Sequence, residues 1–243
     1  MGVDPLAEAR RQRREARTPK ALGFSAPPPA LLNTPTCLPP PLLSPVPRSV
    51  TYVPEFIDPD DEALLLMHVR QAPPERWSGA PGDRRRTQNY GGAPGSLAVA
   101  EGLPDWLAPL VHALVESGAW GDVRPPNHIL INVFRPGAGL VPHTDGPLYA
   151  GPRVATLSLG SDVLLRQLHQ PAAAEHEVSL LLRRRSLNVI SGEAYARWHG
   201  ISESATDQID ERVANAAVAG VAVGDIVTRG DRVSIVFVRK LDG

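Results

Sequence analysis

The chain has 243 residues, 42% of them hydrophobic, and a net charge of −1 at pH 7, which is enough material for one hydrophobic core with extensions. Its single cysteine, Cys37, excludes an internal disulfide and cysteine-rich zinc or iron–sulfur sites, and it favours a reducing compartment, the cytoplasm or the nucleus. No apolar run approaches the roughly 18 residues that span a bilayer, so we expect no membrane association.

The first 48 residues differ in composition from the rest of the chain. They contain seven Lys or Arg against three Asp or Glu, a charge of +4, whereas the remainder contains 18 against 23, a charge of −5. Nine prolines fall within 21–48, a density that opposes both helix and strand. Residues 1–48 are therefore predicted to be a disordered basic and proline-rich tail or linker. The arginine-rich run in 1–20 could instead bind nucleic acid or an import receptor.

The first ordered elements are predicted directly after this tail. Residues 50–53 are β-branched or aromatic and predict a short strand. Asp58 and Pro59 then supply an N-cap and a first helical residue for a helix that ends at Arg70. Leucine and valine at helical spacing predict a second helix over 105–117.

Short strands separated by turns dominate the second half of the chain. They are predicted at 129–134, 154–159, 163–168, 178–182, 187–190 and 233–238. This pattern predicts a mainly β fold with flanking helices, an antiparallel sandwich or roll. We divide the ordered part into an N-terminal extension, 49–128, and a β core, 129–243, which together form one globular unit. An insert rich in alanine and valine, 203–223, is expected to cover one edge.

A metal site is predicted around His143-Thr144-Asp145, which is the one His-x-Asp arrangement in the sequence. Residues two apart in an extended segment point to the same side, so His143 and Asp145 can hold one ion. His199 is the best candidate for a third ligand, because Gly200 allows the backbone to turn close to the site. Two histidines and one carboxylate are the ligand set of non-haem iron(II) oxygenases. A surface histidine near an aspartate is the alternative for the first pair.

Iron held in this way needs two electrons from a cosubstrate, which a chelating 2-oxo dicarboxylate can supply. Arg232 opens the last predicted strand, and a guanidinium matches the far carboxylate of such a molecule in a bidentate fork. Ser234 lies on the same face of that strand. Asn132 and Phe134 also share a face, before the ligand loop, where the amide could bind the cosubstrate. A solvent-exposed arginine and a satisfied turn asparagine are the alternatives.

The order of these residues resembles the AlkB family of iron(II)- and 2-oxoglutarate-dependent dioxygenases, from about Val50 to Val238. The segments 143–149 and 89–92 are similar to those of the sixth AlkB homologue branch. The resemblance implies a double-stranded β-helix (jelly-roll) core, with nucleotide-recognition loops in the N-terminal extension. It also implies iron(II), 2-oxoglutarate and O2, with catalytic metal ligands and cosubstrate residues as named: His143, Asp145 and His199 for the metal, and Asn132, Phe134, Arg232 and Ser234 for 2-oxoglutarate.

Two departures from the family pattern affect the cosubstrate pocket. Phe134 stands where the family usually has a tyrosine, so one hydroxyl contact to 2-oxoglutarate is missing. Val238 stands where the family has a second arginine, six residues after Arg232. Arg239 follows on the opposite face of the strand and would turn inward only through a bulge.

The resemblance implies oxidative demethylation of N-alkylated bases in nucleic acid, with DNA and RNA both open. Tyr149, Tyr90 and Asn89 are the predicted substrate contacts, although aromatic residues are usually buried for packing. The clusters Arg84–Arg86 and Arg183–Arg185 could contact phosphates, but solvated turns are the favoured interpretation. An oxygenase acting on protein and an inactive nucleic-acid-binding module are the alternative functions. A monomer is favoured.

Overall fold

A computed structural model describes residues 49–93, 99–145, 151–168 and 177–240. The predicted tail and Tyr149 lie outside these ranges. The described strands are β1 (Val50–Val53), β2 (Trp77–Ser78), β3 (Arg85–Tyr90), β4 (His128–Phe134), β5 (Leu140–His143), β6 (Arg153–Leu159), β7 (Val163–Leu168), β8 (Val178–Leu182), β9 (Leu187–Ser191), β10 (Trp198–Ile201), β11 (Thr206–Gln208), β12 (Ile226–Thr228) and β13 (Arg232–Val238). The described α-helices are α1 (Pro59–Arg70), α2 (Ala108–Glu116), α3 (Gly192–Tyr195) and α4 (Ala216–Ala219).

Two antiparallel sheets face each other and form the core. The major sheet has seven strands in the order β1-β9-β6-β13-β4-β3-β2, and the minor sheet has four in the order β5-β10-β7-β8. Apolar side chains from both sheets, such as Val154 and Leu165, pack together in the space between them, here called the inter-sheet space. This arrangement confirms the expected jelly-roll core. None of the described helices has the length and apolar character needed to cross a membrane.

The two faces of strand β13 separate the core into two layers. Val233, Ile235 and Phe237 pack on one side against the cluster that contains the helices. Val238 and Val236 pack on the other side in the inter-sheet space. Because side chains alternate along a strand, Arg232 and Ser234 face the inter-sheet space as well. The sequence pattern of this strand therefore separates its site face from its helix face.

Helix α1 begins as predicted, and its side chains bind the turn between β8 and β9. Asp58 caps it by accepting a hydrogen bond from the backbone N–H of Asp61 at 2.8 Å. The buried Glu62 accepts from Arg184 Nη2 at 2.6 Å and from Arg185 Nη1 at 3.2 Å, both in the β8–β9 turn. The predicted turn at Arg183–Arg185 is confirmed, but its arginines are engaged with carboxylates, since Arg183 Nε also lies 3.3 Å from Asp162 Oδ2.

The insert 203–223 covers the edge strand of the minor sheet, as predicted. Val213 forms a parallel bridge with Ser179 of β8. Asn215 accepts a hydrogen bond from the backbone N–H of Leu181 at 2.8 Å and donates one to its carbonyl at 2.9 Å. These bonds occupy strand groups that would otherwise be open to pairing with another chain.

The interpretation of Arg84–Arg86 as a solvated turn holds for Arg84, which is exposed in a bend, and is wrong for Arg85 and Arg86. Strand β3 begins at Arg85 and pairs with β4 along its whole length. Arg84 Nη2 donates to the carbonyl of Gly137 at 2.6 Å, and the Arg86 guanidinium lies 4.1 Å from the ring centroid of Trp77. The strand is rich in polar residues because one of its faces contributes to the site described below.

Candidate active site

The three predicted metal ligands lie together at one end of the minor sheet. His143 ends β5 and is paired directly with His199 of β10, and the centroids of the two rings are 4.5 Å apart. Asp145 follows two residues later, with its Oδ2 3.8 Å from Nε2 of His199. One ligand atom from each of the three residues lies within 4.8 Å of the others. This geometry is compatible with one shared ion.

Gly200 permits the close approach of β5 and β10 that brings the histidines together. A Cβ atom at this position would lie 2.8 Å from the carbonyl oxygen of Leu140 and 3.0 Å from Cα of Pro142. Both are backbone atoms, which cannot move aside without shifting the strand. The expectation that Gly200 allows a turn near the site is wrong, because Gly200 lies within strand β10. Its missing side chain instead permits the close approach of β5.

The polar atoms of the triad fit a bound divalent cation. Within the described ranges, the buried Asp145 Oδ2 and His199 Nδ1 have no hydrogen-bond partner. His143 Nδ1 lies 2.9 Å from the carbonyl oxygen of Val141, which leaves Nε2 available as a ligand. Burial raises the pKa of the Asp145 carboxyl and lowers the pKa of His199. A cation would offset the shift at Asp145, because it favours the carboxylate, and burial of His199 already favours the neutral imidazole that binds a metal.

Arg232 is a buried cation that faces the inter-sheet space. Its Nη2 donates to Ser158 Oγ at 2.9 Å, its Nε has no partner, and no carboxylate of the described chain pairs with it. Burial, together with the nearby charge of Arg229, lowers its pKa to about 10. The group remains charged at neutral pH, so it is suited to bind an anion such as the far carboxylate of 2-oxoglutarate.

The other predicted cosubstrate residues surround Arg232. Strand register places Arg232 opposite Phe134 and Ser234 opposite Asn132. The Asn132 amide donates to Ser234 Oγ at 3.1 Å, and the Phe134 ring centroid lies 5.6 Å from the Arg232 guanidinium. The structure therefore brings together the four residues that the sequence predicts for this pocket.

Arg85 is a further member of this cluster that the sequence did not indicate. Its Nε and Nη2 donate to Asn132 Oδ1 at 3.1 and 2.6 Å, and its guanidinium lies 5.7 Å from the Phe134 ring centroid. The hydrogen bond orients the Asn132 amide so that its nitrogen faces Ser234. The alternation Arg85, Thr87, Asn89 was the available signal, since it predicts one polar strand face.

The predicted substrate contacts are placed differently from one another. Asn89 shares a strand face with Arg85, on the side of the inter-sheet space. Tyr90 lies on the opposite face, is 6% exposed, and packs edge-on against Trp106 with ring centroids 5.8 Å apart. The structure therefore does not bring Tyr90 to the metal ligands, and packing accounts for it.

Arg239 does not take the place of the second arginine of the family. Strand β13 pairs with β4 without a bulge, from Arg232 opposite Phe134 to Val238 opposite His128. Val238 is 1% exposed and packs in the inter-sheet space. Arg239 projects away from it and donates from Nη1 to the carbonyl of Pro125 at 2.8 Å. The metal end of the inter-sheet space is thus apolar on β13.

Comparison with known proteins agrees with this geometry. The family model described as the 2OG-Fe(II) oxygenase superfamily matches residues 50–237. The chain is similar to the "Probable RNA/DNA demethylase ALKBH6" of Danio rerio, with 37% identity over 201 residues, covering 78% of this chain and 84% of that protein. It is also similar to the "tRNA (carboxymethyluridine(34)-5-O)-methyltransferase alkbh8" of Xenopus tropicalis, with 27% identity, covering 69% of this chain and 27% of that protein.

A solved structure, that of OsALKBH1, shares the fold. It superposes with a TM-score of 0.54 at 15% identity, over 79% of this chain and 98% of that one. The family uses iron(II), 2-oxoglutarate and O2, so that His143, Asp145 and His199 would hold the iron, which supplies oxygen activation when bound. The chain belongs to the 2OG-Fe(II) oxygenase superfamily, among its AlkB homologues, and is a 2-oxoglutarate-dependent dioxygenase.

Proposed function

We propose that this dioxygenase removes alkyl groups from the ring or exocyclic nitrogens of bases in nucleic acid. The observation that carries the proposal is the 37% identity, over most of both chains, to a relative named as a probable RNA/DNA demethylase. In this reaction an N-methyl carbon is hydroxylated and leaves as formaldehyde, while 2-oxoglutarate and O2 are converted to succinate and carbon dioxide. The described triad and the buried Arg232 are the parts that such a reaction requires.

A cationic cavity near the end of the major sheet supports the proposal that the substrate is a polyanion. It has a volume of about 630 Å³, and its lining includes Arg124, Arg153, Arg239 and Lys240 beside the ring of Trp120. Neither Arg153 nor Lys240 has a carboxylate partner in the described part of the chain, and burial lowers the pKa of Lys240. Arginine is well suited to bind phosphate.

Chain connectivity limits the distance between the cavity and the metal site. Gly151, which lines it, is six residues beyond Asp145, and six extended residues span at most about 21 Å. A strand of nucleic acid can therefore place one base at the iron while a nearby phosphate enters the cavity. A second binding site at this distance from the iron suits an extended substrate such as nucleic acid rather than a small free metabolite.

Formaldehyde release from methylated oligonucleotides tests the proposed function. The protein is incubated with iron(II), 2-oxoglutarate and single-stranded oligonucleotides that carry N-methylated bases, with Asp145→Ala as the matched inactive control. We expect formaldehyde and succinate from the wild type and neither from the variant, whose folding is checked by circular dichroism. Absence of formaldehyde across methylated DNA and RNA, together with hydroxylated protein from a lysate, would instead show an oxygenase that acts on protein.

Binding as a function of salt tests the cavity separately. Arg153→Ala is compared with Arg70→Ala, which removes an exposed arginine at the end of α1. We expect Arg153→Ala to weaken oligonucleotide binding and to reduce the slope of log K against log salt by about 0.7 for each phosphate that the variant no longer neutralises. Equal slopes for the two variants would exclude the cavity from the substrate path.

A further inference from the structure

Gln167 is a buried amide without hydrogen bonds to any residue that the structure describes. Its exposure is 0%, and neither Nε2 nor Oε1 has a partner among the described residues. Burying an unpaired donor and an unpaired acceptor is costly, and folded proteins seldom do so unless a ligand or an ion completes the bonds. Gln88 shows the usual outcome, because its equally buried amide donates to the Val69 carbonyl at 2.8 Å and accepts from the Tyr90 hydroxyl at 3.0 Å.

The position of Gln167 places it beside the metal ligands. It is paired directly with His199, and His199 is paired on its other side with His143. Residues opposite each other in antiparallel strands project to the same face, with Cβ atoms about 4.5–5.5 Å apart. Val163 and Leu165, four and two residues earlier, pack in the inter-sheet space, so Gln167 faces the same space.

The opposite wall near this amide offers little hydrogen-bonding capacity. Along the inward face of β13, Arg232 and Ser234 are polar, whereas Val236 and Val238 are apolar. 2-Oxoglutarate carries at one end a 2-oxo acid group, whose keto and carboxylate oxygens would chelate the metal, and at the other end a second carboxylate. Arg232 is available to the far carboxylate, whereas the side chains of Val236 and Val238 offer no donor to the metal-bound one.

We propose that the Gln167 side-chain N–H donates a hydrogen bond to the metal-chelating carboxylate of 2-oxoglutarate. Gln167 is then a cosubstrate-binding residue, and the N–H of its buried amide is hydrogen-bonded only when 2-oxoglutarate is present. The inference rests on the cofactors of the family and is independent of the proposed nucleic-acid substrate. It also explains why an amide occupies a strand position whose neighbours on the same face are valine and leucine.

Leucine substitutions at the two buried glutamines test the proposal. Gln167→Leu and Gln88→Leu are matched in chemistry and burial, but only Gln88 has internal partners. Affinity for 2-oxoglutarate is measured by anaerobic calorimetry on the iron(II)-loaded protein, and thermal stability is measured without ligands. We expect Gln167→Leu to weaken 2-oxoglutarate binding about ten- to hundredfold while its Tm is unchanged or higher. Gln88→Leu should lower Tm and leave the affinity unchanged.

A shorter 2-oxo acid identifies which carboxylate the amide contacts. 2-Oxobutyrate keeps the chelating end and lacks the far carboxylate, so Gln167→Leu should weaken its binding by a similar factor. Loss of the effect with 2-oxobutyrate would assign the amide to the far carboxylate and overturn the proposal. Unchanged 2-oxoglutarate affinity with a raised KM for an oligonucleotide would overturn it too, and would make Gln167 a substrate contact. A lower Tm with unchanged affinities would show a structural role.

Discussion

Several residues of the site carry buried polar atoms without hydrogen-bond partners among the described residues. Asp145 Oδ2, His199 Nδ1 and Arg232 Nε all belong to this group within the described ranges. Each lowers the stability of the protein alone. Iron would complete the Asp145 carboxylate, and the far carboxylate of 2-oxoglutarate would complete the Arg232 guanidinium. The site therefore lowers the stability of the ligand-free protein. Ligand binding should raise Tm more than it would at a site whose polar atoms are all hydrogen-bonded already.

Replacement of Arg232 by methionine tests, at one residue, whether a group that binds the cosubstrate lowers the stability of the ligand-free protein. Arg232→Met removes a buried charge that has no carboxylate partner, so the stability without ligands should be unchanged or higher. Removing the partner of the far carboxylate should cost about 2–5 kcal/mol, roughly thirtyfold or more in 2-oxoglutarate affinity. Calorimetry and a thermal melt measure the two effects on the same sample.

Arg229→Met is the matched control for this prediction. Arg229 is also buried, but its Nε donates to Asp207 Oδ2 at 2.6 Å and its Nη1 to the Ser202 carbonyl at 2.6 Å. Its loss leaves a buried carboxylate unpaired and should cost about 3–5 kcal/mol of stability. If Arg232→Met is destabilised to the same extent and retains 2-oxoglutarate binding, Arg232 has a structural role and the assigned function is wrong.

At the scale of elements, apolar strands could be predicted from the sequence and polar strands could not. Strand β13 alternates between a helix face and a site face, so its bounds and the direction of Arg232 followed from the pattern. Strand β3 begins with five polar residues, of which Arg85 and Thr87 lie on its site face, and its sequence resembled a turn. Strands β5 and β10 have four residues each, too short for a period to be read.

Some site features depend on contacts that no local pattern encodes. His143 and His199 were predicted as ligands, but the direct pairing of their strands is set by long-range register. Gln167 gave no signal, because an isolated glutamine in a strand is ordinary until its missing partners are known. The direction of Arg239 depended on whether β13 contained a bulge, which a sequence of valines, isoleucine and phenylalanine leaves open.

An alanine at position 200 tests the contact between the two ligand-bearing strands. Gly200→Ala places a Cβ 2.8 Å from the Leu140 carbonyl oxygen, so β5 and β10 must separate. We expect a lower Tm, by several degrees, and iron affinity weakened about tenfold or more, because the two histidines move apart. Gly102→Ala is the control, since a Cβ there meets no atom within 4 Å. Equal metal affinity in both variants would contradict this role of Gly200.

At the scale of the whole molecule, buried titratable groups should make stability depend on pH in two separate windows. The Glu62 carboxyl is buried, which alone would raise its pKa, but hydrogen bonds from Arg184, the Gly160 N–H and Arg185 lower the net pKa. Its contribution is therefore present above the unfolded value near 4.5 and is lost as pH falls through the folded pKa. A buried histidine affects stability at higher pH, so its contribution can be separated from that of Glu62.

His128 accounts for the upper window. It starts β4 and is 3% exposed, and burial together with the Lys240 charge lowers its pKa from 6.5 to about 4. The unfolded chain takes up a proton near pH 6.5 and the folded one only near 4, so stability is complete above 6.5 and falls between these values. From pH 7 to 5 the wild type should lose about 2 kcal/mol through this group. His128→Gln should remove that part of the slope in denaturant unfolding, and parallel slopes for both proteins would show that His128 is not the titrating group.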